Sequence, residues 1–126
     1  MAQHTILVAD EDQDTRIILQ TLLELQGYRV IEARNAAEAM ASAHTGISLV
    51  ILNHPMCVTN GSSLACWLRA QPLTCEVPII NLTSRAVPLL IDEASRDGVN
   101  VTIAKPLDVQ LIVDLVHEFT SPMATR

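Results

Sequence analysis

Five short apolar runs, each followed by a stretch with helical spacing, constrain the fold of this chain more than any other feature. Thr5-Ile6-Leu7-Val8-Ala9 is the first run, closed by Asp10-Glu11-Asp12. Helical periodicity follows through Ile18, Leu19, Leu22 and Leu23, and Gly27 stands where a helix C-cap is expected. Residues 28–33 read as a second strand, after which Asn35-Ala36-Ala37-Glu38 has the form of a capping box. It opens an alanine-rich helix ending near Gly46. A third strand covers 48–53, and beyond the Asn60-Gly61 loop a helix carries Leu64 and Leu68 on one face and stops before Pro72. The fourth strand is 77–82, with Pro78 at its start, where a missing ladder donor is tolerated. Pro88 begins the next helix and Gly98 ends it. Residues 99–104 form the fifth strand, and Asp108 caps a last helix bearing Leu111, Val113, Leu115 and Val116.

Continuous apolar strands separated by helices imply an α/β fold with a parallel sheet covered on both faces. Ligands of such sheets bind at the carboxyl ends of the strands. The residues that close or follow the strands are Asp10, Glu11, Asn53, Thr83 and Lys105. Two acids at one edge can hold a hard cation through oxygen, while a hydroxyl and an ammonium can contact a phosphoryl group. Asn53 breaks this chemistry, because a carboxylate there could attack phosphorus and a neutral amide cannot.

The length of 126 residues suits one domain, with a core at about 4–118 and a short tail at 119–126. Hydrophobic residues make up 49%, which places the chain among globular proteins rather than disordered ones. No apolar run reaches the length of a membrane span and no signal-peptide layout opens the chain, so a cytoplasmic location and no membrane contact are expected. The net charge of −6, without a basic cluster, argues against nucleic acid as a partner. Cys57, Cys66 and Cys75 lack metal-ligand spacing and read as reduced thiols, and the scattered histidines show no zinc pattern.

With these residues in place, the chain resembles a response-regulator receiver domain of two-component signalling over roughly residues 4–118. Ile6-Leu7-Val8-Ala9-Asp10-Glu11 is similar to the first strand and acid pair of that family. Leu49-Val50-Ile51-Leu52-Asn53, with Gly61 eight residues on, matches the strand and loop carrying the phosphoaccepting aspartate. Val77-Pro78-Ile79-Ile80-Asn81-Leu82-Thr83 matches the strand ending in a hydroxyl residue, and Ala104-Lys105-Pro106 the lysine motif with its usually cis Lys-Pro bond. The resemblance implies a flavodoxin-like (βα)5 fold with strand order 2-1-3-4-5, and a signalling module rather than an enzyme.

Three positions depart from the family pattern. Asn53 occupies the acceptor position, the loop proline stands at Pro55 instead of at Cys57, and Thr102 replaces the aromatic that usually reports phosphorylation. Aspartyl phosphorylation is therefore expected to be absent. Carboxylates within ~4 Å repel by about 4 kcal/mol at an effective dielectric of 20, so an amide at 53 relieves the metal-free site. It also removes a ligand charge. No cofactor is expected, and any Mg²⁺ held by Asp10, Glu11 and the Pro55 carbonyl should be weakly bound, with Lys105 bonded to Asn53 or Asp10.

A silent site moves function to the surface. Leu89, Leu90 and Ile91 after Pro88 span too wide an arc of a helix for all to be buried, which marks a partner or homodimer surface on helix four, strand five and helix five. Trp67 reads either as an interface anchor or as half-buried against its own domain, and Ile17 and Leu25 widen the apolar face of helix one. His54 has no orienting acid in sequence and reads as a loop residue. The reading that follows is a phosphorylation-independent receiver whose partners are signalling proteins, such as a histidine kinase or an effector. Two alternatives stay open: a phosphorylatable receiver in which Asn53 replaces an acceptor aspartate, and a flavodoxin-like cofactor binder. The second lacks both a glycine-rich loop and aromatic residues to stack on a flavin.

Overall fold

A computed structural model describes residues 3–44 and 46–121. Strands β1 (Thr5–Ala9), β2 (Arg29–Ala33), β3 (Ile47–Leu52), β4 (Ile79–Thr83) and β5 (Val101–Ala104) form one parallel sheet in the order β2-β1-β3-β4-β5. They alternate with helices α1 (Gln13–Leu25), α2 (Ala36–Ser42), α3 (Leu64–Arg69), α4 (Pro88–Arg96) and α5 (Val109–Thr120). This is the flavodoxin-like, doubly wound arrangement expected from the sequence.

The two-residue period of each strand splits the core. Leu7, Ala9, Val50, Leu52 and Ile79 pack on one face with Ala39, Leu64, Leu68 and Ala94 from α2, α3 and α4. Ile6, Val8, Leu49, Ile51, Ile80, Leu82 and Ile103 pack on the other with Leu19 and Leu23 of α1 and Ile112 and Val116 of α5. The central strands β1 and β3 are apolar on both faces because each face meets helices. Among the described residues, no helix is long and apolar enough to cross a membrane.

Several boundaries and faces differ from the sequence reading. On α1 the buried residues are Thr15, Arg16, Leu19 and Leu23, whereas Ile18 is 46% exposed and Ile17 and Leu25 are also exposed. Neighbouring residues lie about 100° apart on a helix, so only one of each pair Ile18-Leu19 and Leu22-Leu23 points squarely at the sheet. On α5, Ile112 takes the buried place that Leu111 was expected to hold. That helix also runs past 118: the Thr120 hydroxyl donates to Val116 O at 2.7 Å and lies 3.1 Å from the Tyr28 hydroxyl. Residues 122–126 of the expected tail lie outside the described residues. Helix α2 stops at Ser42, and at its start Asn35 Oδ1 accepts from Glu38 N at 2.8 Å. Glu38 Oε1 in turn accepts from Arg34 N, not from Asn35 N, so the capping box closes one residue early. The Arg34 guanidinium on Glu38 holds that carboxyl well below the usual carboxylate range.

Gly98 matters for the site described below because it turns the chain out of α4. Its φ is +104°, a region that L-residues rarely adopt, and a Cβ there would stand 2.6 Å from Arg69 Cγ. The Arg69 guanidinium donates to the carbonyls of Gly98 at 2.9 Å and Val77 at 2.6 Å, and to Asn100 Oδ1 at 2.9 Å. One side chain of α3 thus ties the ends of α4 and of the loop before β4. Gly98→Ala should lower stability by about 1–2 kcal/mol from backbone strain alone, with a further loss from displacing Arg69. Gly27→Ala, at φ +93° in open space, carries only the strain. Urea unfolding of the two variants should show Gly98→Ala as the more damaging.

Candidate functional site

The parallel sheet brings the carboxyl ends of β1, β3, β4 and β5 to one edge, where Asp10 and Lys105 meet. Asp10 is 3% exposed, and its Oδ2 accepts from Lys105 Nζ at 2.9 Å. Its Oδ1 accepts from Asp12 N at 2.9 Å. Lys105 therefore reaches Asp10 and not Asn53. Beneath this pair, Arg16 Nη1 donates to Asp10 O at 2.7 Å and Arg16 Nε lies 3.5 Å from Glu32 Oε1. Glu11 is exposed. Asp12 caps α1, and the Thr15 hydroxyl donating to it at 2.6 Å holds its carboxyl below the usual range.

Asn53 follows β3 directly, its N–H donating to Ala9 O at 3.1 Å, and it is half-buried. The His54–Pro55 and Lys105–Pro106 peptide bonds are both cis. The Pro55 carbonyl accepts from Leu64 N at 3.0 Å, which engages it with the start of α3. A recess of about 150 Å³ beside Glu11 is lined by Asn35, Ala36, Met56 and Cys57, with neither Asn53 nor Pro55 in its wall.

A polar chain crosses the sheet next to Asn53. Asn81 is 3% exposed in β4, in register with Leu52 and with Thr102. Its Oδ1 accepts from His54 N at 2.9 Å and its Nδ2 donates to the Thr102 hydroxyl at 3.3 Å. The Thr83 hydroxyl accepts from Arg85 N at 3.0 Å, so it is satisfied within its own turn. Beyond Thr102 lies a pocket of about 390 Å³ whose lining includes Asn53, His54, Thr83, Leu90, Ile91 and Thr102.

His54 lies in the loop after β3, as expected, but it has acidic neighbours that the sequence does not show. Its side chain is 5% exposed and turns toward α4, with Nε2 3.3 Å from Asp97 Oδ2 and 4.0 Å from Glu93 Oε1. Burial pushes the imidazole below its ordinary pKa, against the opposing pull of Asp97 and then Glu93. The acids were invisible as partners because they lie about forty residues away on another element. Their one sequence signal was the like-charged i, i+4 spacing on a helix. The signal for Asn81 was a polar residue inside Ile79-Ile80-Asn81-Leu82, and for Arg16 a cation on the stripe that continues to Leu19 and Leu23.

The three expected surface residues of α4 separate. Leu89 is 70% and Ile91 38% exposed, whereas Leu90 is partly buried along the pocket. Val87, exposed as well, extends the patch. Trp67 is half-buried and packs against the core beside Leu64 and Leu68, the second of the two arrangements that the sequence allows.

Comparison with known proteins agrees with this architecture. Residues 6–117 match the family described as response regulator receiver domain. An uncharacterized 14.6 kDa protein encoded in the sodA1 3′ region of Leptolyngbya boryana is 33% identical over 94% of this chain and 92% of its own length. The phosphate regulon transcriptional regulatory protein PhoB of Pseudomonas aeruginosa is 30% identical over 90% of this chain, which spans only 50% of that protein. The solution structure of a response regulator protein from Burkholderia multivorans superposes with a TM-score of 0.78 at 29% identity, covering 96% of this chain and 98% of that one. Strand order, strand-end residues and these relatives converge, and the chain belongs to the response regulator receiver domain family.

Proposed function

We propose that this receiver works by protein–protein interaction that does not depend on aspartyl phosphorylation, within a two-component-type pathway. The observation that carries the reading is the amide of Asn53 at the position from which the acceptor carboxylate acts. An amide nitrogen's lone pair is delocalised and its oxygen is neutral, so neither attacks phosphorus. The surroundings support the same reading. Thr102, where an aromatic would swing, is bonded to buried Asn81 and has no ring to bury or expose. Membership of the receiver family favours a signalling module over a cofactor binder of another class.

The donor set makes a weak site for Mg²⁺ at the acid pair. Asp10 spends Oδ2 on Lys105 and Oδ1 on Asp12 N, Asn53 carries no charge, and the Pro55 carbonyl is engaged with Leu64 N. Mg²⁺ favours near-octahedral oxygen ligation with carboxylates, and with no charge at Asn53 the anionic ligands here are Asp10, already paired with Lys105, and the exposed Glu11. The chain has no catalytic group poised for turnover in this reading. Its partners are signalling proteins, a kinase or an effector domain, or a second copy meeting it on α4, β5 and α5.

Incubation with a small acyl-phosphate donor and Mg²⁺ should leave this chain without a hydroxylamine-labile phosphate, as read by intact mass. Asn53→Asp is expected to gain one, since Asp10, Thr83 and Lys105 already stand around the position. Labelling of the unaltered chain would overturn the reading. The Lys105–Asp10 pair, with side chains 17% and 4% exposed, serves as a lock. Lys105→Met should cost roughly 3 kcal/mol by leaving a buried carboxylate unpaired, and adding Asp10→Asn should restore most of it in urea unfolding. At the surface, Leu89→Glu should weaken self-association or kinase capture by about tenfold or more, the worth of one buried leucine. Unchanged sedimentation and unchanged capture would remove α4 as the interface.

A further inference from the structure

We propose that His54, Glu93 and Asp97 form a binding site for a divalent transition-metal ion of the zinc type, bridging the loop after β3 to the last turn of α4. One ligand atom from each residue lies within 4.8 Å of the others. A tetrahedral ion with bonds of about 2.0–2.2 Å holds its ligands roughly 3.3–3.6 Å apart. His54 Nε2 and Asp97 Oδ2 are already at that spacing, 3.3 Å. Glu93 Oε1 stands at 4.0 Å on a side chain 51% exposed, which leaves it room to turn toward them.

The imidazole itself points to a ligand. It is 95% buried by side chain, yet neither ring nitrogen has a hydrogen-bond partner. The contact with Asp97 is close but off the axis that a hydrogen bond requires. A buried polar group left unmatched costs about 1–3 kcal/mol. The two acids break local rules as well. They stand one turn apart on α4, Asp97 as its C-cap, where like charges repel and the helix dipole disfavours anions. Among the described residues, neither carboxylate forms an ion pair with a lysine or arginine. One bound cation answers the unmatched imidazole, the acid pair and the dipole together.

The donor chemistry selects the ion. Imidazole nitrogen with two carboxylates suits zinc and its neighbours in the first transition row, whereas Mg²⁺ and Ca²⁺ take oxygen. His54 and Glu93 also line the pocket of about 390 Å³, which supplies an entry path and room for water as a further ligand. The site shares no residue with Asp10, Glu11 or Lys105. Because α4 also carries Leu89 and Ile91, an ion here fixes the helix that presents the exposed patch.

The test titrates Zn²⁺ alone into the full chain stripped of metal, following the His54 imidazole by ¹⁵N NMR and the melting midpoint. The expected result is one equivalent bound, with the His54 resonances shifted and the midpoint raised. His54→Ala, Asp97→Asn and the surface change Glu93→Gln should each weaken binding by about tenfold or more. Glu93→Gln removes only a half-exposed carboxylate, so its result does not depend on whether His54→Ala folds. Replacing Cys57 and Cys75 by serine should leave the affinity unchanged. The proposal is overturned if Zn²⁺ leaves the His54 resonances in place, if Glu93→Gln binds as tightly as the unaltered chain, or if Mg²⁺ shifts the same resonances at equal concentration.

Discussion

The state of the strand-end site depends on one contact, the 2.9 Å ion pair between Lys105 and Asp10. The sheet order separates β1 from β5 by two strands, yet both side chains reach the same edge because every strand runs in the same direction. With a neutral amide at Asn53, the lysine has a single buried carboxylate to satisfy there, and that carboxylate has one cation. Taking such a pair out of water roughly offsets its own attraction, whereas stripping it of one member leaves a bare buried charge. The pair therefore resists the loss of either member.

The same immobility recurs one step across the sheet. A switch that signals by moving a side chain needs two places of similar energy for it. Thr102 has one, because Asn81 donates to its hydroxyl, and Asn81 in turn is held by accepting from His54 N. A buried amide whose groups are satisfied from both neighbouring strands gains more from staying than from turning. The absent ring leaves a pocket between β5 and α4 rather than a moving part.

The fold was legible in the sequence because apolar runs with helical spacing between them leave few arrangements, and Gly27, Asp108 and Gly98 marked ends that the structure keeps. The strand-end residues were legible for the same reason: in a parallel sheet, the last residue of each strand needs no contact information to be placed. What escaped was decided by tertiary neighbours. Ile18 looked like core because periodicity cannot say which of two adjacent apolar residues meets the sheet. His54 looked idle because its acids arrive from α4, and the commitments of the Pro55 carbonyl depend on where α3 begins. Asn81 was visible as an oddity in an apolar strand, but its two partners were not.

Helix α4 borders both the pocket and the exposed patch, and its composition follows neither of the usual rules for a surface helix. Its first turn exposes Leu89 and Ile91, and its last turn gathers two acids where the dipole disfavours them. Only Ala94 among its nine residues is fully buried, so little core packing holds the helix in place. Its C-terminal end is set by Gly98 and Arg69 on one side and lies against buried His54 on the other. A helix anchored chiefly at one end, with its apolar residues at the other, is well placed to present that patch to a partner. What fixes the anchored end then bears directly on how firmly the patch is presented.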